Sequence, residues 1–255
     1  MNINKNYLFL LEEIIKKNFA SKYKGSVLGI LWSVIKPLLI MIIMTIIFST
    51  LFKRSIDNYP VYILSGKCLY DFFNLGSNSG LYAIRSNKFI LKTTSASKSV
   101  FVIGGVLSEV INLFITLIIL FGVMLVTHAP FYFDKIILSI IPLISLAIMI
   151  LGMGLILSIC SVYYSDVQHL WGVVTQMGMY ASAIFYPMDI IPEPFHQYMI
   201  LNPIFWAIDQ FRSFVMLGTI PSTIYILNLL IFSLIILVMG IIIFKKYENK
   251  VTMKL

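Results

Sequence analysis

Six apolar stretches, each long enough to cross a lipid bilayer, dominate this sequence. They lie at 27–52, 60–84, 100–127, 136–162, 167–187 and 221–244. A helix needs about 20 apolar residues to cross the hydrocarbon core of a bilayer. Charged residues make up only 12% of the chain, about half the share found in soluble domains. The sequence therefore predicts an all-α integral membrane protein with six transmembrane helices.

The second stretch is the most polar of the six. Lys67, Asp71, Asn74 and Asn78 all lie within it. A helix surrounded by lipid does not tolerate such side chains, since they would be left without water or a polar partner. We therefore expect this helix to face protein or water.

Basic residues are concentrated before the first stretch, between the second and third, and after the last. The opposite side carries fewer, namely Lys53, Arg54, Lys135 and Arg212, with Lys67 near it. By the positive-inside rule, this distribution predicts a multi-pass protein of the cell membrane with both termini in the cytoplasm. The net charge of +8 is thus explained by topology, and no nucleic-acid partner is expected.

Residues 5–22 predict a helix that lies along the membrane surface. Between Tyr7 and Phe19, apolar side chains occupy one half of the helical wheel and charged side chains the other. Such a helix buries its apolar face at the interface. Glu12–Lys16 and Glu13–Lys17 have the spacing of i,i+4 ion pairs. The pattern fits a simple anchor as well as a functional element.

The segment 188–217, between the fifth and sixth stretches, is apolar but interrupted by prolines. Asn202–Pro203 has the form of a helix start, with a capping side chain followed by proline at the first helical position. We predict two short helices, 193–199 and 203–217, that enter the membrane from the outer face without crossing it. Irregular backbone at that depth requires protein or a water-filled cavity around it.

No pattern typical of catalysis or nucleotide binding is found. The single Gly-Lys pair, Gly66–Lys67, is followed by Cys68 and has Val61 where a P-loop requires its first glycine. The histidines are scattered, and Cys68 and Cys160 are isolated, so neither a metal site nor a disulfide framework is predicted. We therefore expect a transport subunit rather than an enzyme, with no cofactor on this chain.

Four segments, taken in order, resemble a known family. They are KYKGSVLGILWSVIKPLL (22–39) after the surface helix, SNKFILK (86–92), YYSDVQHL (163–170), and the run of FYP, IPE and LNP elements within 185–203. Their order and spacing resemble the permease subunit of type-2 ABC exporters, in the branch that exports O-antigen, capsule and teichoic-acid polymers. The resemblance covers essentially the whole chain.

The resemblance implies partners and sites. It implies a homodimer that binds two copies of a separate ATP-binding subunit, which holds ATP and magnesium, and a lipid-linked glycopolymer as substrate. The cytoplasmic turn 87–97 would contact the ATPase through Lys88, Phe89, Ile90, Leu91, Lys92 and Thr93. This chain has Thr93–Thr94–Ser95 where the family often has an aromatic–proline–basic element. The short helices of 188–217 would form an outer gate that includes Tyr186, Phe195, Tyr198, Phe205 and Trp206.

A conduit is predicted from polar and aromatic residues inside the first two stretches. The candidates are Trp32, Lys36, Tyr70, Asp71, Phe72, Phe73 and Asn74. Aromatic rings suit sugars because they combine an apolar face with a polar edge, although an interfacial aromatic belt would use the same residue types. Lys36 lies too deep to reach the interface easily and precedes Pro37, which can kink the helix.

Two roles are open for the buried charges. Lys36 could meet an anionic substrate, or it could pair with Asp71 or Glu109. Glu109 could carry function, or it could serve as a packing partner of Asn112 or of a neighbouring helix. Gly25 and Gly29 would let the chain turn into the first stretch, while the GxxxG spacings at Gly25/Gly29 and Gly76/Gly80 permit close helix contact.

The predicted function is export of a lipid-linked polysaccharide or polyol-phosphate polymer across the cytoplasmic membrane. An exporter of a drug or small lipid from the same superfamily is the main alternative. A membrane-embedded glycan-transferring enzyme would need clustered carboxylates or histidines. An ion-gradient transporter would commonly show inverted repeats with paired broken helices.

Overall fold

A computed structural model describes residues 3–51, 56–93, 97–251 and 254. The α-helices in these residues are α1 (Ile3–Tyr23), α2 (Trp32–Phe48), α3 (Tyr59–Ser86), α4 (Lys88–Thr93), α5 (Lys98–Val126), α6 (Phe133–Leu138), α7 (Ile140–Tyr163), α8 (Val167–Tyr180), α9 (Glu193–Ile200), α10 (Pro203–Arg212) and α11 (Thr223–Val251). No β-strand lies in the described part of the chain. The predicted all-α class is confirmed.

Helix α3 is the centre of the bundle. Most of its side chains are buried, and it packs against α5 on one side and α7 on another, while α7 also packs along α11. The buried side chains of α3, α5, α7 and α10 form one continuous apolar core. As predicted, the polar second stretch faces protein over most of its surface, and Lys67, Asp71, Asn74 and Asn78 are partly buried.

Glycines bring three of these helices into backbone contact. A methyl group built on Gly80 of α3 would lie 2.5 Å from the Cα atom of Gly154 in α7. On the other side of α7, a methyl group on Gly240 of α11 would lie 2.5 Å from the carbonyl oxygen of Gly152. Close contact at the Gly76/Gly80 spacing is therefore confirmed, since Gly76 lies against Ile150 in the same way.

The Gly25/Gly29 spacing has a different role. These residues adopt φ angles of 81° and 47°, and no described atom approaches an added methyl group on either within 4 Å. The prediction of close helix packing here is wrong. The glycines instead supply the left-handed backbone with which the chain leaves α1 and enters α2, as the alternative interpretation expected.

Four segments of the described structure are both long and apolar enough to cross a membrane. They are Gly29–Phe48, Lys98–Val126, Phe133–Tyr163 and Thr223–Val251. Helix α3 has the length but carries too many polar residues. The predicted fifth span, 167–187, is helical only over Val167–Tyr180, about 21 Å at 1.5 Å per residue. The coarse membrane architecture is thus established, and the count of six spans stays a prediction.

The proline-rich segment contains the two predicted short helices. Helix α9 begins at Glu193, and α10 begins at Pro203 and continues as a π-helical turn over Ser213–Leu217. The Asn202 side chain accepts a hydrogen bond from the Ile204 amide at 3.0 Å, so the predicted cap is confirmed. Lys53 and Arg54 of the predicted outer side, and Thr94 and Ser95 of the predicted cytoplasmic turn, lie outside the described residues.

Candidate functional site

Helix α1 packs onto the bundle through its apolar face. Ile14 is buried and lies against Gly104 of α5, where an added methyl group would be 2.7 Å away. Glu12 and Lys16 form the predicted ion pair at 2.7 Å, which lowers the pKa of the exposed Glu12 carboxyl below its usual value. The predicted Glu13–Lys17 pair is wrong. Lys17 donates instead to Asn87 Oδ1 at 3.0 Å, at the junction of α3 and α4.

A charged cavity, here called the inner cavity, lies between α2, α3, α5 and the end of α1. Its volume is about 340 Å³. The polar and charged residues that line it are Tyr23, Ser33, Lys36, Lys67, Asp71, Asn74, Glu109, Asn112 and Thr116, and Trp32, Pro37, Ile40, Cys68, Phe72, Leu75 and Leu113 complete its wall. It is therefore a mixed surface with ionic groups set between aromatic and aliphatic faces.

Two ion pairs leave one lysine of the inner cavity unpaired. Lys67 pairs with Asp71 one helical turn along α3. Lys22 pairs with Glu109, whose carboxylate also accepts a hydrogen bond from Asn112 Nδ2 at 2.8 Å. Lys36 forms no ion pair with any carboxylate in the described residues. Both proposed partners of Lys36 are thus occupied by other lysines, while the packing role predicted for Glu109 is the one observed.

The predicted conduit residues divide into those that line the inner cavity, on α2 and α3, and those that lie elsewhere on α3. Trp32, Lys36, Asp71, Phe72 and Asn74 line the inner cavity. Tyr70 and Phe73 do not, and both contact α8 instead. There the Tyr70 hydroxyl donates to the Thr175 carbonyl, and the Phe73 ring lies 6.1 Å from that of Trp171.

Sequence reasoning missed part of the cavity wall. Tyr23 was not among the predicted conduit residues, yet its hydroxyl donates to Asn112 Oδ1 at 3.0 Å. Cys68 and Thr116 are in contact at 2.9 Å between sulfur and oxygen. The spacing of Glu109 and Asn112 in the third stretch indicated their contact, but nothing local linked α1 to them.

The buried guanidinium of Arg212 organises the opposite end of α3. It donates to the carbonyls of Ala183 at 2.9 Å, Tyr62 at 3.0 Å and Ile184 at 3.2 Å, and to Ser65 Oγ at 3.3 Å. Its central carbon also lies 3.6 Å from the centre of the Tyr62 ring. Arg212 thereby joins α10, α3 and the irregular segment after α8. Sequence reasoning had counted it only as a basic residue of the outer side.

A second cleft lies beside Arg212. Its volume is about 500 Å³, and its lining includes Asp57, Tyr62, Asp189, Phe205 and Asp209. Among the predicted gate residues, Phe205 is buried and packs with Tyr186 and Trp206 around Met199. Phe195 and Tyr198 are exposed, and their rings lie 6.4 Å apart. The predicted gate residues therefore divide into a packed group and a surface pair.

The short helix α4 contains the predicted contact with an ATPase. Its Phe89 ring is 77% exposed, whereas Leu91 is buried against the bundle. Lys88, Lys92 and Thr93 are exposed and Ile90 is partly buried. An exposed phenylalanine flanked by lysines presents an apolar centre with a basic rim.

Several long apolar helices around a charged internal cavity define a polytopic membrane protein. Residues 10–216 match the model of the ABC-2 type transporter family, and the chain belongs to that family. The O-antigen export system permease protein RfbA of Klebsiella pneumoniae is 31% identical, over 98% of this chain and 96% of its own length. The polysialic acid transport protein KpsM of Escherichia coli is 22% identical, over 94% of this chain and 93% of its own.

A third relative is also an export protein for a polysaccharide. The capsule polysaccharide export inner-membrane protein CtrC of Neisseria meningitidis is 19% identical, over 93% of this chain and 91% of its own length. Within the described residues, no group of three or more His, Cys, Asp or Glu side chains is placed to hold a metal ion.

Proposed function

We propose that this chain is the permease subunit of an ATP-driven exporter that moves a lipid-linked polysaccharide or polyol-phosphate polymer across the cytoplasmic membrane. The observation that carries the proposal is similarity over nearly the full length to an O-antigen export permease. The capsule-export relatives support the same substrate class.

The inner cavity is the proposed site for the substrate's anionic head. Lys36 has no carboxylate partner in the described structure, so its ammonium group is available to a phosphate oxygen. Trp32 and Phe72 provide ring faces beside it, which suit the C–H faces of sugars. None of the described α2 side chains is buried, so lipid can approach this wall of the cavity directly.

In the proposed topology, α3 crosses the membrane as an internal span, and α8 completes the fifth crossing together with the segment that follows it. Helices α9 and α10 then dip in from the outer face and act as a gate, with Tyr186, Phe205 and Trp206 as its packed part and Phe195 and Tyr198 at its surface. Both termini and α4 lie in the cytoplasm.

The proposed partners are a second copy of this chain and two copies of a separate ATP-binding subunit, which holds ATP and magnesium. The ATPase would bind α4 through Phe89 and its flanking lysines. ATP hydrolysis on that subunit would supply the energy for export.

Purification from native membranes tests the proposal. A tagged chain extracted in mild detergent is expected to co-purify with a P-loop ATPase in about equal amount. Deletion of the gene for this chain is expected to leave a lipid-linked glycan on the cytoplasmic side. Absence of an ATPase, even after cross-linking at Lys92, would refute the exporter function. Accumulation of an unglycosylated small lipid instead would favour a small-lipid exporter.

A further inference from the structure

Helix α1 is attached to the rest of the chain at two polar points. At the first, Lys17 donates to Asn87 Oδ1 at 3.0 Å. Asn87 lies between α3 and α4, and its carbonyl accepts the Leu91 amide of α4 at 3.0 Å. The first attachment therefore reaches the cytoplasmic turn directly.

The second attachment lies at the wall of the inner cavity. Lys22 follows Lys17 by five residues, about 7–8 Å along the helix. It pairs with Glu109, whose side chain is only 3% exposed, while Lys22 itself is 31% exposed. A lysine at the end of a surface helix ordinarily points to lipid headgroups, so a pairing with a carboxylate inside the bundle is a specific feature of this helix.

A second bond reinforces this point. Tyr23 donates to Asn112 Oδ1 at 3.0 Å, and Asn112 in turn donates to Glu109 at 2.8 Å. Glu109, Asn112 and Tyr23 all line the inner cavity. Any displacement of the end of α1 therefore moves three groups of the cavity wall.

The chain after α1 does not restrain it in the same way. Gly25 and Gly29 have left-handed backbone and no described atom packs against their added methyl groups. Helix α1 is thus fastened to α5 and to the α3–α4 junction, while two glycines without packing neighbours in the described structure separate it from α2. This arrangement suits a rigid rod that moves with the cytoplasmic turn.

We propose that α1 carries motion of the cytoplasmic turn to the inner cavity, and that the Lys22–Glu109 pair is its joint at the cavity. The proposal rests on the exporter function given above and adds positioning roles for Lys22, Glu109 and Tyr23. A simple anchor would need the apolar face of α1 but neither of these polar attachments.

Charge reversal and exchange in the assembled complex test the joint. Lys22→Glu and Glu109→Lys are each expected to lower export per assembled complex by about tenfold, while ATP hydrolysis by the complex continues. The double variant Lys22→Glu/Glu109→Lys should recover most of the export. Lys24→Glu is the matched control, because Lys24 is exposed, two residues away, and has no polar partner in the described structure. It should export normally.

The readouts separate three outcomes. Normal export per complex in Lys22→Glu, or no recovery in the exchange variant, would overturn the joint. A loss of complex with unchanged export per remaining complex would show a purely structural pair and overturn it too. Failure of the unmodified chain to bind any ATPase would instead refute the exporter function.

A milder variant covers the case in which reversal prevents folding. Tyr23→Phe removes one hydrogen bond without leaving a buried charge, and it should reduce export per complex by about threefold with normal ATPase binding. Unchanged export in Tyr23→Phe, together with unfolded reversal variants, would count against the proposal.

Discussion

Arg212 replaces the water around its guanidinium with three backbone carbonyls, one hydroxyl and the face of Tyr62. Arginine suits this site because its planar group presents several donors in fixed directions. The carbonyls of Ala183 and Ile184 belong to an irregular segment that has no helical partners for them. Arg212 therefore satisfies carbonyls of this segment together with the hydroxyls of Tyr59 and Tyr62.

Arg212→Lys is expected to destabilise the protein although it keeps the charge. A lysine cannot reach all four acceptors, and the lost charge-assisted hydrogen bonds cost about 3 kcal/mol in all. That corresponds to a fall in Tm of roughly 6–12 °C for a chain of this size. Thermal unfolding in detergent measures it. Lys245→Met, on an exposed lysine, is the control, and an equal Tm in both variants would contradict the anchoring role.

Lys36 should matter for transport rather than for stability. Lys36→Met is expected to lower export on the order of tenfold, the size of one charge-assisted hydrogen bond to the substrate, with unchanged Tm. Lys36→Arg keeps a cation in the inner cavity and should retain most of the activity. Export is measured as surface glycan per assembled complex. Equal export by the Met variant and the parent chain would exclude a role in binding the anionic head.

At the scale of elements, α7 is held at backbone distance on both sides. Gly154 meets Gly80 of α3, and Gly152 meets Gly240 of α11. Without side chains between them, helices approach closely and gain van der Waals contact along their length, which is the main attraction available within lipid. The α3, α7 and α11 helices therefore form the rigid part of the bundle.

Gly80→Ala should be destabilising even though alanine is the better helix former. The added methyl group would lie 2.5 Å from the Gly154 Cα atom, and separating the helices costs about 2 kcal/mol, a fall in Tm of roughly 4–8 °C. Gly122→Ala in α5 is the matched control, because no described atom lies within 4 Å of its added methyl group. A Tm for Gly80→Ala at or above that of the control would show that α3 and α7 can separate freely.

Local sequence patterns predicted the helices, whereas they did not predict which helices contact one another. Hydropathy, prolines and the Asn202 cap are properties of short segments, so they predicted α9, α10 and the long apolar helices. Helix α8 ends at Tyr180, shortly before Ala183 and Ile184. The carbonyls of those two residues accept hydrogen bonds from Arg212, which lies 29 and 28 residues further along the chain. The Lys22–Glu109 pair joins residues 87 positions apart, a separation across which no periodicity applies.

The same limit explains the divided conduit. Tyr70, Asp71, Phe72 and Phe73 are consecutive, so composition treats them as one group. A helix distributes consecutive residues around its axis, and only the positions of the neighbouring helices decide which of them meets a cavity. The first stretch, by contrast, contributed Trp32 and Lys36 to the inner cavity as expected.

At the scale of the whole molecule, α3 separates the two ends of the proposed pathway. Tyr62, which lines the cleft beside Arg212, lies near the start of α3. Asn87 follows the end of α3, at the predicted cytoplasmic turn. Its 28 residues span about 42 Å at 1.5 Å per residue. The proposed ATPase contact on α4 and the cleft beside Arg212 therefore lie at opposite ends of a helix about as long as a membrane is thick.

Phe89→Ala should weaken the ATPase contact without affecting the fold. An exposed aromatic residue at the centre of an interface commonly contributes more than 1 kcal/mol of binding free energy, so we expect about fivefold less ATPase recovered at limiting concentration. Phe133→Ala is the control, because Phe133 is exposed to the same extent, 76% against 77%, on the predicted outer side. Equal recovery from both variants would place the ATPase contact elsewhere.

Helix α2 forms one wall of the inner cavity without burying any of its own side chains. It contacts α3 and α5 through side chains that stay partly exposed, so the surrounding acyl chains would contribute to its tilt. Its apolar segment of 20 residues is about 30 Å long, equal to the hydrocarbon thickness of a typical bilayer. A thicker or thinner bilayer would tilt α2 and alter the width of the cavity beside Lys36. Under the proposed function, the acyl-chain length of the host membrane would thus help to determine which head groups the inner cavity accepts.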